Sequence, residues 1–460
     1  MTAPVATGRV LATLNEDGSR RWIRPRPSHG RWWRRRRAVA YALISLFLVL
    51  PHLRLAGKPW LLLDLPRREF VILGTTFLPT DTLLLMLLFV SVLVGVFLLT
   101  ALFGRAWCGW GCPQTVWMEF LFRPIERWLE GGPAASRALD RDRRWFAPRR
   151  VLKYALYALL AVVLGNTFLA YFVGTDALRH WIGHSPAAHP AAFLVMAGVS
   201  LAVFVDFTWF REQTCLVACP YGRWQSALLD RQSLIVAYDP RRGEPRGHGA
   251  GARPGLGDCL DCQACIQTCP TGIDIRDGLQ MECIHCTQCA DACDEIMMKV
   301  GKPTGLIRYT SQDALAGRVR RLLRPRTVLY PLAFAGFFGA FILTLAFRAP
   351  AEVTVLGGIG APFTRDAAGD VINQVRFRIG NRTREPRSYR LTYVDETGAR
   401  LVAPENPVRV PGGATVTTSV FVLQSADRFH DGVRRVRFRV TDEDTFTREY
   451  PWTLLGPTSP

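Results

Sequence analysis

The C-terminal third of this 460-residue chain has no cysteine, and the last of its twelve cysteines is Cys293. All twelve stand in spacings typical of metal binding, which leaves none for a structural disulfide and indicates a reducing compartment. Acidic residues are also few, with 38 Asp and Glu against 57 Lys and Arg, so the net charge is +19. No basic domain rich in aromatic residues accompanies this charge, and we therefore predict no nucleic-acid partner.

Charged residues are scarce in several long apolar runs, and the excess arginine flanks these runs. Residues 82–103 and 327–347 carry no charge at all, and each run is long enough to cross a bilayer. A weaker stretch at 38–56 follows the Arg-rich residues 1–37 and lacks a small-residue cleavage site, so we predict an uncleaved first span. Five helices are therefore predicted to contact membrane lipid, at about 38–56, 82–103, 151–172, 190–210 and 327–347.

The distribution of arginine predicts the orientation of the chain in its membrane. Residues 105–150, between the second and third spans, contain nine arginines, whereas residues 174–189 contain one. The positive-inside rule then places the N-terminus and residues 211–325 in the cytoplasm, and residues 350–460 in the periplasm.

Eight cysteines fall in two runs within the region predicted to be cytoplasmic. Each run has the spacing C-x2-C-x2-C-x3-C, in which three thiolates bind one iron–sulfur cube and the fourth reaches a second cube. This pattern predicts a bacterial-type ferredoxin domain with two [4Fe–4S] clusters. A zinc ribbon is the alternative, but zinc takes four ligands and would leave the third closely spaced cysteine surplus. Crossed ligation predicts one cluster on Cys259, Cys262, Cys265 and Cys293, and another on Cys283, Cys286, Cys289 and Cys269.

The other four cysteines form two matched C-x3-C-P pairs, each just beyond the cytoplasmic end of a span. The proline of each pair suits the first turn of a new helix, where the dipole favours a thiolate, and Arg105, Arg211 and Arg223 add positive charge. We predict a redox-active metal site or a dithiol relay, with buried structural cysteines as the alternative. Spacing alone leaves copper, zinc and a third iron–sulfur centre open. The four residues are Cys108, Cys112, Cys215 and Cys219.

For several polar and aromatic residues near the ends of the predicted spans, we prefer a structural role at the membrane interface. The three histidines of the outer loop are interpreted as interfacial, with metal entry as the less favoured alternative. Asp206 is expected either to pair with Arg211 or to serve proton or quinone chemistry. The tryptophans around the first cysteine pair are interpreted as an aromatic belt. These residues are His180, His184, His189, Trp107, Trp110, Trp117 and Trp128.

Residues 350–460 replace long apolar runs by alternation of apolar and polar residues, for example at 375–379 and 436–440. Glycine-containing turns separate these short strands. The pattern predicts an all-β immunoglobulin-like sandwich. The whole chain is thus predicted to be an α-helical membrane protein with an inserted ferredoxin domain and a C-terminal sandwich.

Four stretches of the sequence resemble the family of cytochrome c oxidase accessory proteins known as CcoG, FixG or RdxA. The resemblance extends from about residue 40 to the end, and these stretches are more specific than the ferredoxin cysteines, which many families share. They are GRAWCGWGCPQ at 104–114, ACPYGR at 218–223, GIDIRDGLQ at 272–280 and GLIRY at 305–309.

The resemblance implies a multi-pass protein of the bacterial inner membrane that reduces Cu(II) to Cu(I) in support of the assembly of cbb3-type cytochrome c oxidase. It implies copper at Cys108, Cys112, Cys215 and Cys219, and iron–sulfur clusters on the eight ferredoxin-type cysteines. The implied partners are the copper ion, copper-delivery proteins and oxidase assembly proteins. The sequence does not identify the electron donor.

Two other functions stay open on the sequence. Membrane ferredoxins of nitrate and nitrous oxide respiration also carry C-x3-C-P pairs, which favours a quinol-linked electron-transfer subunit. A non-enzymatic scaffold that docks on the oxidase through its sandwich domain is the third hypothesis. The long outer sandwich favours an assembly factor over a quinol dehydrogenase.

Overall fold

Helices dominate the chain as far as residue 346, and strands dominate the remainder. The computed structural model describes residues 12–15, 17–55, 57–66, 69–77, 81–142, 144–247, 255–319, 323–383, 385–394, 398–442 and 446–458. The α-helices are α1 (Arg31–Val49), α2 (Thr82–Phe103), α3 (Ala106–Trp110), α4 (Pro113–Trp117), α5 (Arg123–Glu130), α6 (Pro133–Arg141), α7 (Pro148–Val173), α8 (Thr175–Ile182), α9 (Pro190–Val205), α10 (Pro220–Leu228), α11 (Pro240–Gly243), α12 (Ala264–Gln267), α13 (Gln288–Lys299), α14 (Gln312–Leu315) and α15 (Pro325–Ala346). The strands are β1 (Arg54–Leu55), β2 (Lys58–Pro59), β3 (Leu61–Asp64), β4 (Glu69–Ile72), β5 (Thr75–Phe77), β6 (Ile235–Tyr238), β7 (Ile307–Thr310), β8 (Ala351–Gly357), β9 (Thr364–Arg365), β10 (Val371–Asn381), β11 (Arg387–Tyr393), β12 (Arg400–Val402), β13 (Val408–Val410), β14 (Thr415–Gln424), β15 (Val433–Thr441) and β16 (Thr447–Leu455).

Four helices in the described part of the chain are long and apolar enough to span a membrane. They are α2, α7, α15, and α9 with its π-helical continuation to Phe210, and they overlap four of the five predicted spans. Helix α1 starts at Arg31, and its first seven residues include five arginines. Its apolar part from Ala38 to Val49 extends only about 18 Å at about 1.5 Å per residue. Because this is less than the hydrocarbon thickness of about 30 Å, the first span stays a prediction.

The cysteine-rich region lies between two short strands that bring its ends together. Strand β6 pairs antiparallel with β7, with Val236 opposite Tyr309. The two cysteine runs lie between these strands, and α12 and α13 follow the first two cysteines of each run and contain the third. An apolar core that includes Ile273, Met297 and Leu306 packs around the cysteines. The region therefore surrounds its thiols with apolar side chains.

The C-terminal residues form two antiparallel sheets with a shared core, as alternation predicted. One sheet has the strand order β12-β14-β10-β8, with β9 also paired to β10, and the other has the order β13-β11-β15-β16. Alternate residues of β10 are buried, and the ring of Phe377 packs edge-on against that of Phe438, with ring centroids 5.2 Å apart. The predicted β-sandwich is confirmed.

Residues 17–30, which we call the N-terminal strap, were predicted only as part of a basic segment. The structure holds this strap against the cysteine-rich region. The backbone N–H of Arg26 donates to the carbonyl of Gln267 over 2.9 Å, and the hydroxyl of Thr268 donates to the carbonyl of Arg26 over 2.8 Å. After the strap, the Asp291 carboxylate accepts from the first-turn N–H groups of Trp32 (3.1 Å) and Trp33 (2.7 Å) of α1. Helix α1 is thus capped by α13.

Replacing Asp291 with alanine should loosen the start of α1, because two N–H groups lose their acceptor. A cap of this kind contributes about 1 kcal/mol, so amide exchange at Trp32 and Trp33 should become about fivefold faster. Hydrogen–deuterium exchange with mass spectrometry measures this rate. Asp291→Asn keeps an acceptor oxygen and should stay near the wild-type rate, and equal rates in wild type and Asp291→Ala would contradict the capping role.

Candidate functional site

The two cysteine runs fold into the same backbone turn. In the first run Asp261 and Gln263, on either side of Cys262, have φ angles of 52° and 55°. The equivalent residues of the second run, His285 and Thr287, have φ angles of 55° and 60°. Positive φ is unfavourable for residues other than glycine, and such strain is concentrated at functional sites. Each run therefore repeats one strained turn that presents its thiols in the same way.

The eight cysteines of these runs line two adjacent cavities, in sets that combine both runs. Cys265 lines both cavities, which shows that the cavities are neighbours. The first cysteine site consists of Cys259, Cys262, Cys265 and Cys293. The second cysteine site consists of Cys269, Cys283, Cys286 and Cys289. Each set joins three cysteines of one run to the last cysteine of the other, and the assignment of Cys265 to the first set follows the crossed ligation predicted from the spacing, which stays a prediction.

The donor sets suit a cluster of several irons better than a single ion. No group of three or more His, Cys, Asp or Glu side chains among the described residues is spaced for one metal ion. Around one zinc ion four sulfurs stand at about 2.3 Å from the metal, whereas each thiolate of a cube binds its own iron. The sulfurs around a cube are therefore farther apart than those around one zinc ion. Burial raises the pKa of Cys265, Cys283 and Cys293 to about 12, so metal binding must displace their protons.

The two C-x3-C-P pairs begin new helices, as predicted. Cys112 is the N-cap of α4 and Pro113 its first residue, while Pro220, directly after Cys219, is the first residue of α10. Cys215 lies in a π-helical turn, Thr214–Ala218, and π-turns are frequent at functional sites. We call Cys108, Cys112, Cys215 and Cys219 the paired-thiol site.

Burial works against the expected thiolate character of Cys108, Cys112 and Cys215, because it raises the pKa of each of these thiols. Burial raises the pKa of Cys108 to about 11, although Arg105 opposes this shift, and charge on Cys112 or Cys219 raises it further. The Cys108 thiol donates to Oε1 of Gln225 over 3.0 Å, which also favours the protonated form. The thiols therefore keep their protons until a metal replaces them.

The charge on Arg211 is compensated rather than directed at the thiols. Its guanidinium donates to both carboxylate oxygens of Glu126, over 3.0 and 2.7 Å. Arg211 therefore forms its ion pair with Glu126 and not with Asp206 as expected. The Asp206 carboxylate instead accepts a hydrogen bond from the hydroxyl of Thr214. Arg223 is exposed. Arg105 is thus the predicted cation whose charge acts on Cys108.

The paired-thiol site touches the second cysteine site through α3, the short helix between α2 and α4. Cys108 packs in a buried cluster with Ile284 and Cys286. A Cβ atom on Gly109 would lie 2.6 Å from the carbonyl oxygen of Ile284 and 3.0 Å from the backbone nitrogen of Cys286. Glycine is therefore required at position 109 for the two backbones to approach so closely.

Aromatic side chains fix this contact from one side. The indole N–H of Trp110 donates to the hydroxyl of Tyr309 over 3.0 Å, and that hydroxyl donates to the carbonyl of His285 over 2.9 Å. The ring of Trp32 packs edge-on against Tyr309, with centroids 5.2 Å apart. Trp110 therefore positions the site. Of the other tryptophans that were interpreted as an aromatic belt, Trp107 and Trp128 are exposed, as a belt requires, whereas Trp117 is buried.

A set of buried carboxylates, which the sequence analysis missed, holds the helix that follows the first pair. Helices α4 and α5 are joined by a π-helical turn, Met118–Phe122, so the chain stays helical up to Glu130. Glu119 pairs with Arg123, and the Glu130 carboxylate accepts from Lys153 of α7 over 2.6 Å. Positions 119, 123, 126 and 130 are spaced by three or four residues, so they share one helix face. This spacing is the feature of the sequence that could have predicted the buried charged face of the helix.

The outer-loop histidines, for which metal entry was the less favoured alternative, lie close to one another or to an aromatic ring. The ring centroids of His180 and His184 are 4.2 Å apart, and the ring of His189 stacks on Trp181. No three-ligand group is found in the described part of the chain. A role in metal entry stays untested.

Comparison with known proteins places this site in a family. Residues 210–312 match a 4Fe-4S dicluster domain, residues 84–131 a 4Fe-4S binding domain, and residues 341–457 the IG-like fold at the C-terminal of FixG. RdxA of Cereibacter sphaeroides is 35% identical over 419 residues, which cover 87% of each chain. RdxB of the same organism is 34% identical and covers 90% of each chain. The nitrogen fixation protein FixG of Rhizobium meliloti is 32% identical over 89% of this chain and 84% of its own.

The chain belongs to the RdxA and FixG family. It is accordingly an iron–sulfur electron-transfer protein, and its four apolar helices are those of a membrane-associated protein. The resemblance noted in the sequence and the predicted fold class are both confirmed.

Replacing Gly109 with alanine should push α3 away from the second cysteine site, because the new Cβ would overlap the backbone of Ile284 and Cys286. The Cys108 thiol, now only 8% exposed, should then be alkylated faster by a maleimide. Mass spectrometry of the labelled peptide measures the rate. Gly198→Ala in α9 is the matched control, since a Cβ there meets nothing within 4 Å. An unchanged rate in Gly109→Ala would contradict the close contact.

Proposed function

We propose that this protein is a membrane-bound cupric reductase that supplies Cu(I) for the assembly of cbb3-type cytochrome c oxidase. The first and second cysteine sites each hold one [4Fe–4S] cluster, and the paired-thiol site receives Cu(II) as substrate. Bound clusters supply one-electron carriers. The observation that carries the proposal is the packing of Cys108 against Cys286, because it joins a predicted cluster ligand directly to the paired thiols.

The exposure of the cysteines supports a direction for the electrons. Cys262 of the first site is exposed, whereas the four cysteines of the second site are buried or half-buried. A soluble electron donor therefore has access to the first site, and the second site lies between it and Cys108. The arginine-rich loops place this entrance on the cytoplasmic side by the positive-inside rule, with the sandwich in the periplasm.

The chemistry at the paired-thiol site is a one-electron reduction. Each Cu(II) accepts one electron and becomes Cu(I), and no covalent bond of the protein is broken. Thiols that become ligands lose their protons to solvent, which makes copper binding and proton release linked events. Soft thiolates favour Cu(I) over harder ions, so the same residues hold the product until a copper-delivery protein takes it.

A quinol-linked function has one observation in its favour. The match of residues 84–131 to a 4Fe-4S binding domain includes Cys108 and Cys112. The paired-thiol site would then bind a third cluster and exchange electrons with a quinol in the membrane. The iron content separates the two functions, with about eight irons per chain for two clusters and about twelve for three. A pure scaffold would need neither electron route.

Crossed ligation predicts a particular pattern of iron loss. Cys259→Ser and Cys293→Ser should each leave about four irons per chain, and the double variant should also leave about four, because both residues serve one cluster. Iron analysis after anaerobic purification measures this. If the double variant lost nearly all its iron while each single variant lost half, Cys293 would belong to the second cluster and the assignment would be wrong.

Cys108→Ser should retain both clusters and lose Cu(II) reduction. Replacing a residue that only supports a metal ligand typically lowers metal affinity or activity by about 10–100-fold. Loss of a ligand itself should therefore slow Cu(II) reduction at least about tenfold. The rate is measured anaerobically with a Cu(I)-specific chelator, alongside a parallel assay with a quinol. Wild-type turnover with quinol and none with copper would contradict the proposal, and an unimpaired Cys108→Ser variant would favour the scaffold.

A further inference from the structure

Arg36 is a buried cation whose charge has no bonded counterion. Its side chain is 1% exposed, and its Nε donates to the carbonyl of Gly109 over 2.8 Å. The two terminal nitrogens of its guanidinium are buried and have no hydrogen-bond partner among the described residues. The ring of Phe120 lies 5.4 Å away and attracts the cation without neutralising it.

The position of Arg36 places this charge at the second cysteine site. Gly109, to which Arg36 donates, packs on the backbone of Cys286. Burial raises the pKa of Cys286 to about 11, and the charge on Arg36 is the largest influence that opposes this rise. The carboxylate of Glu119 also acts on Cys286, but it already accepts hydrogen bonds from Arg123 and Gln288.

The first cysteine site has the opposite surroundings. Arg276 lines that cavity, but its guanidinium is bonded by two carboxylates, those of Asp274 (2.8 and 2.6 Å) and Asp261. Asp294 directly follows Cys293, and its carboxylate lies 3.9 Å from the guanidinium of Arg31. The charges around the first site are therefore paired with opposite charges, whereas Arg36 at the second site has no bonded counterion among the described residues.

We propose that Arg36 raises the reduction potential of the cluster in the second cysteine site, so that electrons collect beside Cys108. A cluster that gains an electron becomes more negative, and a buried cation stabilises that form strongly because the local dielectric is low. In the described part of the chain, Arg36 makes no hydrogen bond to the side chain of a predicted cluster ligand. It is therefore a positioning residue that acts through its charge. This inference rests on the proposal that clusters occupy both sites.

Redox titration of the purified full-length protein, followed by EPR, tests this role. Wild type should show two midpoint potentials, and Cys293→Ser, which lacks the first cluster, should identify the higher one as that of the second site. Arg36→Gln should lower only that potential. Arg36→Lys should keep it near the wild-type value because the charge is retained. Arg34→Gln, an equal loss of charge at an exposed position of the same helix, should leave both potentials unchanged.

The outcomes separate this inference from the proposed function. Two intact clusters with unchanged potentials in Arg36→Gln would overturn the role of Arg36 alone. A fall in Arg36→Lys as large as that in Arg36→Gln would also overturn it, because geometry rather than charge would then be responsible. If Arg36→Gln retains no iron, Arg36→Lys decides, with wild-type potentials supporting the inference and lowered ones refuting it. A wild-type protein without two EPR-active clusters would refute the proposed function and this inference together.

Discussion

The close approach of the Gly109 backbone to the turn that carries Cys286 joins the two cysteine systems of this protein. Only a residue without a side chain fits there, since a Cβ would stand 2.6 Å from the carbonyl oxygen of Ile284. The contact brings the thiol of Cys108 into the same buried cluster as Cys286. The hydrogen bond from Trp110 to Tyr309 and that from the backbone N–H of Arg105 to the ring of His285 support the same contact between the two cysteine systems.

Buried charge is the second constraint, and it is distributed unequally. The helix from Pro113 to Glu130 is held by ion pairs to Lys153 and Arg211, in which each buried carboxylate has a bonded cation. Pairing of this kind is needed because an unpaired buried charge is strongly destabilising. Arg36 departs from the rule, and its unpaired state is understandable if an anionic cluster lies beside it. The electrostatics of the helical region and the redox chemistry are thus connected.

The sequence predicted the parts of the fold that depend on local patterns. Long apolar runs predicted the four helices that are long enough to span a membrane, and period-two alternation predicted the sandwich. The cysteine spacing predicted crossed sets of cluster ligands, and that assignment stays a prediction. The sequence did not predict contacts between distant segments. Trp33 and Asp291, which are 258 residues apart, fix the start of α1, and no local pattern indicates their pairing. The burial that raises the pKa of Cys108 was also not predicted, because burial is a tertiary property.

A single-turnover reaction between the reduced protein and Cu(II) examines the electron route most directly. Protein with both clusters reduced is freed of reductant and mixed anaerobically with Cu(II), and EPR follows the copper and cluster signals together. The proposed route predicts that about two Cu(II) are reduced per chain while both clusters become oxidised, one electron for each copper. Clusters that stay reduced in the presence of Cu(II), or copper reduction matched by disulfide formation with unchanged clusters, would contradict it.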